Sequence, residues 1–201
     1  MDLPKSVFSM PTPMTIKGRI SSVTNAFASA IIPVIRPTDD EVREALQLLG
    51  MSVDSVSCAY CGDPHTEWDH LRPTIKDQRP TGYISEIRNF VPACGKCNQS
   101  KGNKNWREWM LSDAPLSPKT RSVEDLCRKI ANLEKYESQS GVTCIHFGAV
   151  LSAEIWGQHW KNWDAVVGEM KKAEMLAAKI GEKLQRSLPG AEACPGGETR
   201  S

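Results

Sequence analysis

Four of the chain's cysteines come as two matched C-x-x-C pairs, Cys58/Cys61 and Cys94/Cys97. Each pair offers two thiolates about one turn apart. Two such knuckles supply four soft sulfur donors, the set that a tetrahedral Zn²⁺ takes in a structural site. The 32 residues between the pairs exceed the ~15–20 of a compact zinc ribbon, so a further segment is inserted between the knuckles. A redox dithiol is the weaker alternative, because two matched pairs suit a metal better. Cys127, Cys144 and Cys194 are scattered, and an odd total of seven does not read as a secreted disulfide scaffold.

Polar motifs fill the insert and continue just past it: Glu67-Trp68-Asp69-His70-Leu71-Arg72-Pro73, then Asn89-Phe90-Val91-Pro92, then Cys97-Asn98-Gln99-Ser100-Lys101. Together with the knuckles this stretch resembles an HNH endonuclease of the ββα-metal type. That family places Asp-His first, then an Asn ahead of a C-x-x-C, then His or Asn directly after it and Lys three residues on. Here the positions are Asp69-His70, Asn89, Asn98 and Lys101. The third member is Asn rather than His, a variant similar to the HNH domain of RNA-guided CRISPR nucleases and some phage endonucleases. The resemblance covers about 50 of 201 residues, from Cys58 to Trp109. It implies an α+β fold: a small ββα-metal core clasped by a four-cysteine zinc site and flanked by N- and C-terminal helices.

The resemblance also implies roles. Hydrolysis of a phosphodiester needs an activated water and neutralisation of charge on the phosphate and the leaving oxygen. A neutral imidazole can take the water's proton near pH 7, and His70 is expected in that role. Asp69 and Asn98 offer hard oxygens, suited to catalytic Mg²⁺ or Mn²⁺. Asn89 is expected to constrain the loop or imidazole across from His70, not to bind metal. Glu67 is either an extra ligand or a solvated strand residue, the second being favoured. His65, His146 and His159 carry no motif.

Lys96, Lys101, Lys104 and Arg107 form an acid-free basic run, and Arg72, Lys76, Arg79 and Arg88 add charge in the insert. Lys101, Lys104, Arg107 and Arg72 are the expected nucleic-acid contacts, on double-stranded DNA. Trp106 and Trp109 could stack on bases, but packing beneath a helix is favoured.

Helices must carry the flanks. Residues 15–32 show a helical apolar period ended by Pro33. Thr38 and Glu41 form a capping box for a helix bearing Val42, Ala45, Leu46 and Leu49, which Gly50 stops. Short strands and one helix starting near Cys97 are expected over 51–110. Ser112 to Pro118 reads as a linker. Ser122 is placed to cap a helix of about fifteen residues, and 140–150 reads as a short buried segment or strand. A last helix runs from about Trp160 to Ser187, with a stripe of Trp163, Val166, Val167, Met170, Leu176, Ala177, Ile180 and Leu184. The divisions expected are thus 1–50, 51–110, 111–188 and a disordered tail, 189–201.

With 25 basic and 24 acidic residues the net charge is +1. That excludes a histone-like tail protein or an acidic solvating polymer, but not a local basic patch. The longest apolar run, from Ala26 to Ile35, is about ten residues and broken by Pro33, half of what a membrane span needs. A cytoplasmic protein is expected. The sequence favours a restriction-type, sequence-specific DNA endonuclease acting as a homodimer. A phage or mobile-element endonuclease and a non-catalytic zinc-clasped DNA-binding module are the alternatives.

Overall fold

The computed structural model describes residues 12–188. Residues 1–11 and the expected tail (189–201) lie outside the described residues. The chain divides into two compact units. One runs from Asn25 to Trp156; the other joins the residues up to Thr24 with those from Gly157 onward.

The helices of the sequence reading form, with shifted ends. α1 is Ile20–Ser29, preceded by a 3₁₀ turn at Lys17–Arg19. α2 is Asp39–Leu48, and its capping box is complete: Thr38 accepts from the Glu41 N–H while Glu41 accepts from the Thr38 N–H. Strands β1 (Glu67–His70) and β4 (Phe90–Ala93) pair antiparallel, with Glu67 opposite Ala93, Asp69 opposite Val91 and His70 opposite Phe90. Between them a small ribbon, β2 (Ile75–Lys76) and β3 (Arg79–Pro80), turns through Asp77 and Gln78. Both turn residues are left-handed (φ +50° and +64°), the geometry whose twist matches a two-residue hairpin. α3 (Gly95–Lys101) follows β4 directly, so β1, β4 and α3 make the expected ββα unit within an α+β fold.

α4 (Trp106–Leu111) and α5 (Leu126–Gln139) close over it. One core joins Ala45 and Leu49 of α2, Leu71 and Val91 around the hairpin, Trp106, Trp109 and Met110 of α4, and Ile130, Leu133 and Tyr136 of α5. Each large apolar side chain so buried contributes roughly 1.5–3 kcal/mol. Trp106 and Trp109 are 2 % and 1 % exposed, so they pack rather than offer themselves to bases. α5 starts later than Ser122 suggests. Ser122 takes a left-handed backbone (φ +51°), and Asp125, also left-handed (φ +55°), occupies the cap position without a side-chain capping bond.

Residues 140–150 form neither a strand nor a buried segment. Cys144 makes an isolated bridge to Tyr83, and α6 (Phe147–Val150) leaves Val150 exposed. Gly82 allows this bridge. It has φ +104°, and a Cβ there would lie 2.7 Å from the Ile145 carbonyl oxygen.

α7 is Ala153–Ser187. In the second unit Trp160 and Val167 are buried, and the Trp163 indole donates to Thr24 Oγ1 (3.0 Å). The Glu174 carboxylate accepts from the Ile16 and Lys17 N–H groups (2.6 and 3.1 Å). Further along the expected stripe, Leu176, Ile180 and Leu184 are exposed. Among the described residues no helix is long and apolar enough to cross a membrane.

Candidate metal and nuclease site

The two knuckles converge. The sulfurs of Cys58, Cys61, Cys94 and Cys97 all lie within 4.8 Å of one another, and Cys61 and Cys94 are 3.7 Å apart. A tetrahedron with Zn–S bonds of ~2.3 Å has sulfur edges of ~3.8 Å, so the cluster has the dimensions a zinc ion needs. The first knuckle turns at Gly62 (φ +84°), whose N–H donates to the Cys58 carbonyl (2.8 Å). A side chain there would be strained by its φ and would meet Lys129 Nζ. The Ala59 N–H donates to the Pro92 carbonyl (2.8 Å), docking this knuckle on β4. The second knuckle is the start of α3, with Cys94 as N-cap. Hydrogen bonds from Cys61 and Cys97 hold the Cys58 thiol down to about 4, and those with Cys58 and Cys61 push Cys97 up. Arg121 was not marked by the sequence reading. Its guanidinium reaches Cys97 Sγ (3.3 Å) and Asp63 Oδ2 (2.7 Å), setting a cation beside the thiolates.

The oxygen donors expected for a hard cation lie on β1 and α3. Glu67 and Asp69 stand two apart on β1, hence on one face. Asn98, the residue after Cys97 on α3, donates from Nδ2 to Glu67 Oε2 (2.8 Å). With Nδ2 so engaged, Oδ1 is the Asn98 atom that would meet a hard cation. Glu67 is a half-buried strand residue, as favoured from the sequence, and its carboxylate holds the Asn98 amide. Asp69 is 6 % exposed. Its Oδ2 accepts from Tyr60 Oη (2.6 Å) and pairs with Lys101 Nζ (3.0 Å), while Oδ1 makes no such contact. The donor set, a carboxylate and an amide oxygen, fits a hard cation rather than a soft one. Burial pushes Asp69 up and Lys101 down, and their mutual attraction opposes both.

His70 ends β1. Its ring packs on Phe90 (centroids 4.4 Å apart) and its Nε2 lies 2.9 Å from Ser85 Oγ. Burial first, and Lys101 second, hold its pKa down to about 4, so the imidazole is neutral near pH 7. Asn89 is fully buried and locks backbone. Its Oδ1 accepts from the Arg72 N–H (3.0 Å), and its Nδ2 donates to the carbonyls of Arg72 (3.0 Å) and Ile84 (3.3 Å).

Comparison with known proteins decides the family of this segment. Residues 58–104 match the model of the HNH endonuclease family. They are an HNH endonuclease domain. The chain is also similar to the CRISPR-associated endonuclease Cas9 of Corynebacterium diphtheriae, with 41% identity over 56 residues. That match takes in 26% of this chain and spans 5% of the relative's length. No solved structure matches the chain.

Around the HNH domain the expected phosphate contacts separate into two groups. Lys101 is 0 % exposed, and its ammonium donates to the His70 carbonyl (2.7 Å) besides pairing with Asp69. It is an internal cation, not a surface one, because α3 turns that face onto β1. Arg72 is likewise held: it pairs with Glu137 (3.3 Å), donates to the Glu137 carbonyl (3.0 Å) and lies over the Tyr83 ring. Lys104 and Arg107 are exposed. Lys104 Nζ donates to the Ser100 carbonyl (2.6 Å) at the end of α3, and Arg107 pairs with Glu134. Lys104 and Lys76 line a polar groove of ~540 Å³ with Asn103 and Asn105.

Proposed function

We propose that this protein is a metal-dependent DNA endonuclease that hydrolyses phosphodiester bonds, with His70 as general base and Asp69 and Asn98 as ligands of Mg²⁺ or Mn²⁺. The observation that carries the reading is the match of residues 58–104 to the HNH family, with Asp69 and His70 on β1 and Asn98 on α3. Within the segment matched to the HNH family, one strand and one helix present a carboxylate and an oriented amide next to a neutral imidazole. The bound cation supplies neutralisation of charge on the phosphate and on the departing oxygen. The water's proton passes to the His70 imidazole as its oxygen bonds to phosphorus. The P–O3′ bond breaks, its electron pair leaves on the 3′ oxygen, and that oxygen takes a proton from solvent. Asn89 fixes the chain on either side of the imidazole. Lys104 and Arg107 meet the DNA backbone, Lys104 from the groove shared with Lys76. Exposed ion pairs such as Arg107–Glu134 are worth little, so phosphate readily replaces Glu134. The four cysteines hold structural Zn²⁺.

Sequence-specific cutting of the restriction type is the finer reading. It is supported by the share of the described chain lying outside the HNH segment, including α2 and α5, which complete its core, and α7. One nuclease site per chain cuts one strand, so a symmetric homodimer serves a palindromic target. The reduced, metal-type cysteines and a DNA substrate suit the cytoplasm.

The test is plasmid cleavage in Mg²⁺ by the wild-type protein and His70→Ala. The wild type should cut, giving discrete bands, and the variant should lose cutting. Equal residual cutting by both would remove the catalytic assignment and leave a zinc-clasped DNA-binding module.

A further inference from the structure

Ser85 lies outside every motif that defined the site, yet its hydroxyl is the hydrogen-bonding partner of the His70 ring, 2.9 Å from Nε2. A neutral imidazole has one N–H and one lone-pair nitrogen, and the partner of one nitrogen sets the chemistry of the other. The backbone holds Ser85 from both sides. Its N–H donates to the Pro33 carbonyl (3.0 Å), and its carbonyl accepts from the Ile35 N–H (2.9 Å). The preceding carbonyl, of Ile84, accepts from Asn89 Nδ2 (3.3 Å). The isolated parallel bridge between Val34 and Ser85 thus brings the stretch between α1 and α2 to the back of the nuclease site. That stretch lies well outside the matched segment 58–104.

Resting on the nuclease reading above, we propose that Ser85 is the positioning residue of the general base. Clamped by Pro33 and Ile35, its Oγ accepts the Nε2–H of His70 and so leaves Nδ1 as the nitrogen that receives the water's proton. The Phe90 ring against the other side of the imidazole restricts its rotation, and the hydroxyl selects the tautomer. The segment between α1 and α2 is therefore part of the nuclease machinery of this chain, although it supplies no group that touches DNA.

Two measurements on the zinc-loaded full chain test this. The first is the ¹⁵N spectrum of the His70 ring. The wild type should show the Nε2–H tautomer, Ser85→Ala a mixture of the two, and Ser85→Thr the wild-type pattern, since threonine keeps the hydroxyl. The second is steady-state cleavage of a DNA duplex. Ser85→Ala should lower kcat about tenfold, the scale of one lost orienting hydrogen bond, with KM unchanged. Ser85→Thr should restore most of the rate. Ile35→Pro removes the N–H that clamps the Ser85 carbonyl, at a half-exposed position, and should act in the same direction by a smaller factor. A Ser85→Ala protein with wild-type kcat, or a wild-type His70 protonated on Nδ1, would overturn the inference while leaving a base whose loss in His70→Ala still abolishes cutting. If His70→Ala cuts like the wild type, the nuclease reading and this inference fall together.

Discussion

Cys97 and Asn98 are neighbours on the same short helix, yet they serve clusters built in different ways. Successive helix residues point about 100° apart. Cys97 turns inward to three other sulfurs and is fully buried, while Asn98, partly exposed, turns to Glu67 on β1. The sulfur cluster has few protein partners of its own beyond Arg121, and its spacing is already that of a bound ion. The oxygen donors are held by the protein: Lys101 and Tyr60 on Asp69, Glu67 on Asn98. Four sulfurs gathered at the spacing of an ion thus contrast with two oxygen-bearing side chains fixed by protein partners; under the proposed function the first would hold a structural ion and the second an exchangeable one. Tyr60 connects them. It sits between the two cysteines of the first knuckle and donates its hydroxyl to Asp69 across 2.6 Å, so the first knuckle positions the Asp69 carboxylate.

The largest effect should come from the sulfur side. Cys58→Ser should lose zinc and lower unfolding stability by about 4 kcal/mol or more, and should lose cleavage with it. Normal zinc stoichiometry by elemental analysis would break the comparison. Next, Lys101→Met leaves the Asp69 carboxylate buried without its cation, a loss of roughly 3–5 kcal/mol. Adding Asp69→Asn to it should recover much of the stability in denaturant titration, though not activity. Recovery of nothing would mean that the ammonium acts elsewhere.

How much of this was legible beforehand follows from where the information sits. The four sulfurs, the Asp69-His70 step and the capping box at Thr38 are local patterns, and local patterns survive into the structure. What was not legible depends on pairing across the fold. Lys101 reads as one more surface cation in a basic run until β1 is laid against α3. The contact of Glu67 with Asn98 is hidden until β1 and α3 are brought together. Ser85 and Arg121 carry no pattern at all, because their partners are 15 and 24 residues away. The misplaced start of α5 has a different cause: the residue at the true cap position, Asp125, makes no side-chain capping bond, so no cap chemistry marks where the helix begins.

Two smaller effects sharpen the contrast. Tyr60→Phe should cost about 2 kcal/mol, the range for a hydrogen bond to a charged group. Its zinc content should be unchanged and its Mg²⁺ requirement for cleavage raised. A protein with normal Mg²⁺ response would remove Tyr60 as the link between the centres. Asn98→Ala should change stability least, by about 0.5 kcal/mol or less. It should weaken the metal dependence of cleavage while DNA binding, followed by fluorescence anisotropy, is retained.

The most direct test is anomalous diffraction from crystals of the zinc-loaded protein soaked in Mn²⁺, recorded at the absorption edges of both metals. The account predicts a zinc peak amid Cys58, Cys61, Cys94 and Cys97 and a separate manganese peak at Asp69 and Asn98. A single site taking both metals, or manganese bound away from those two side chains, would contradict it.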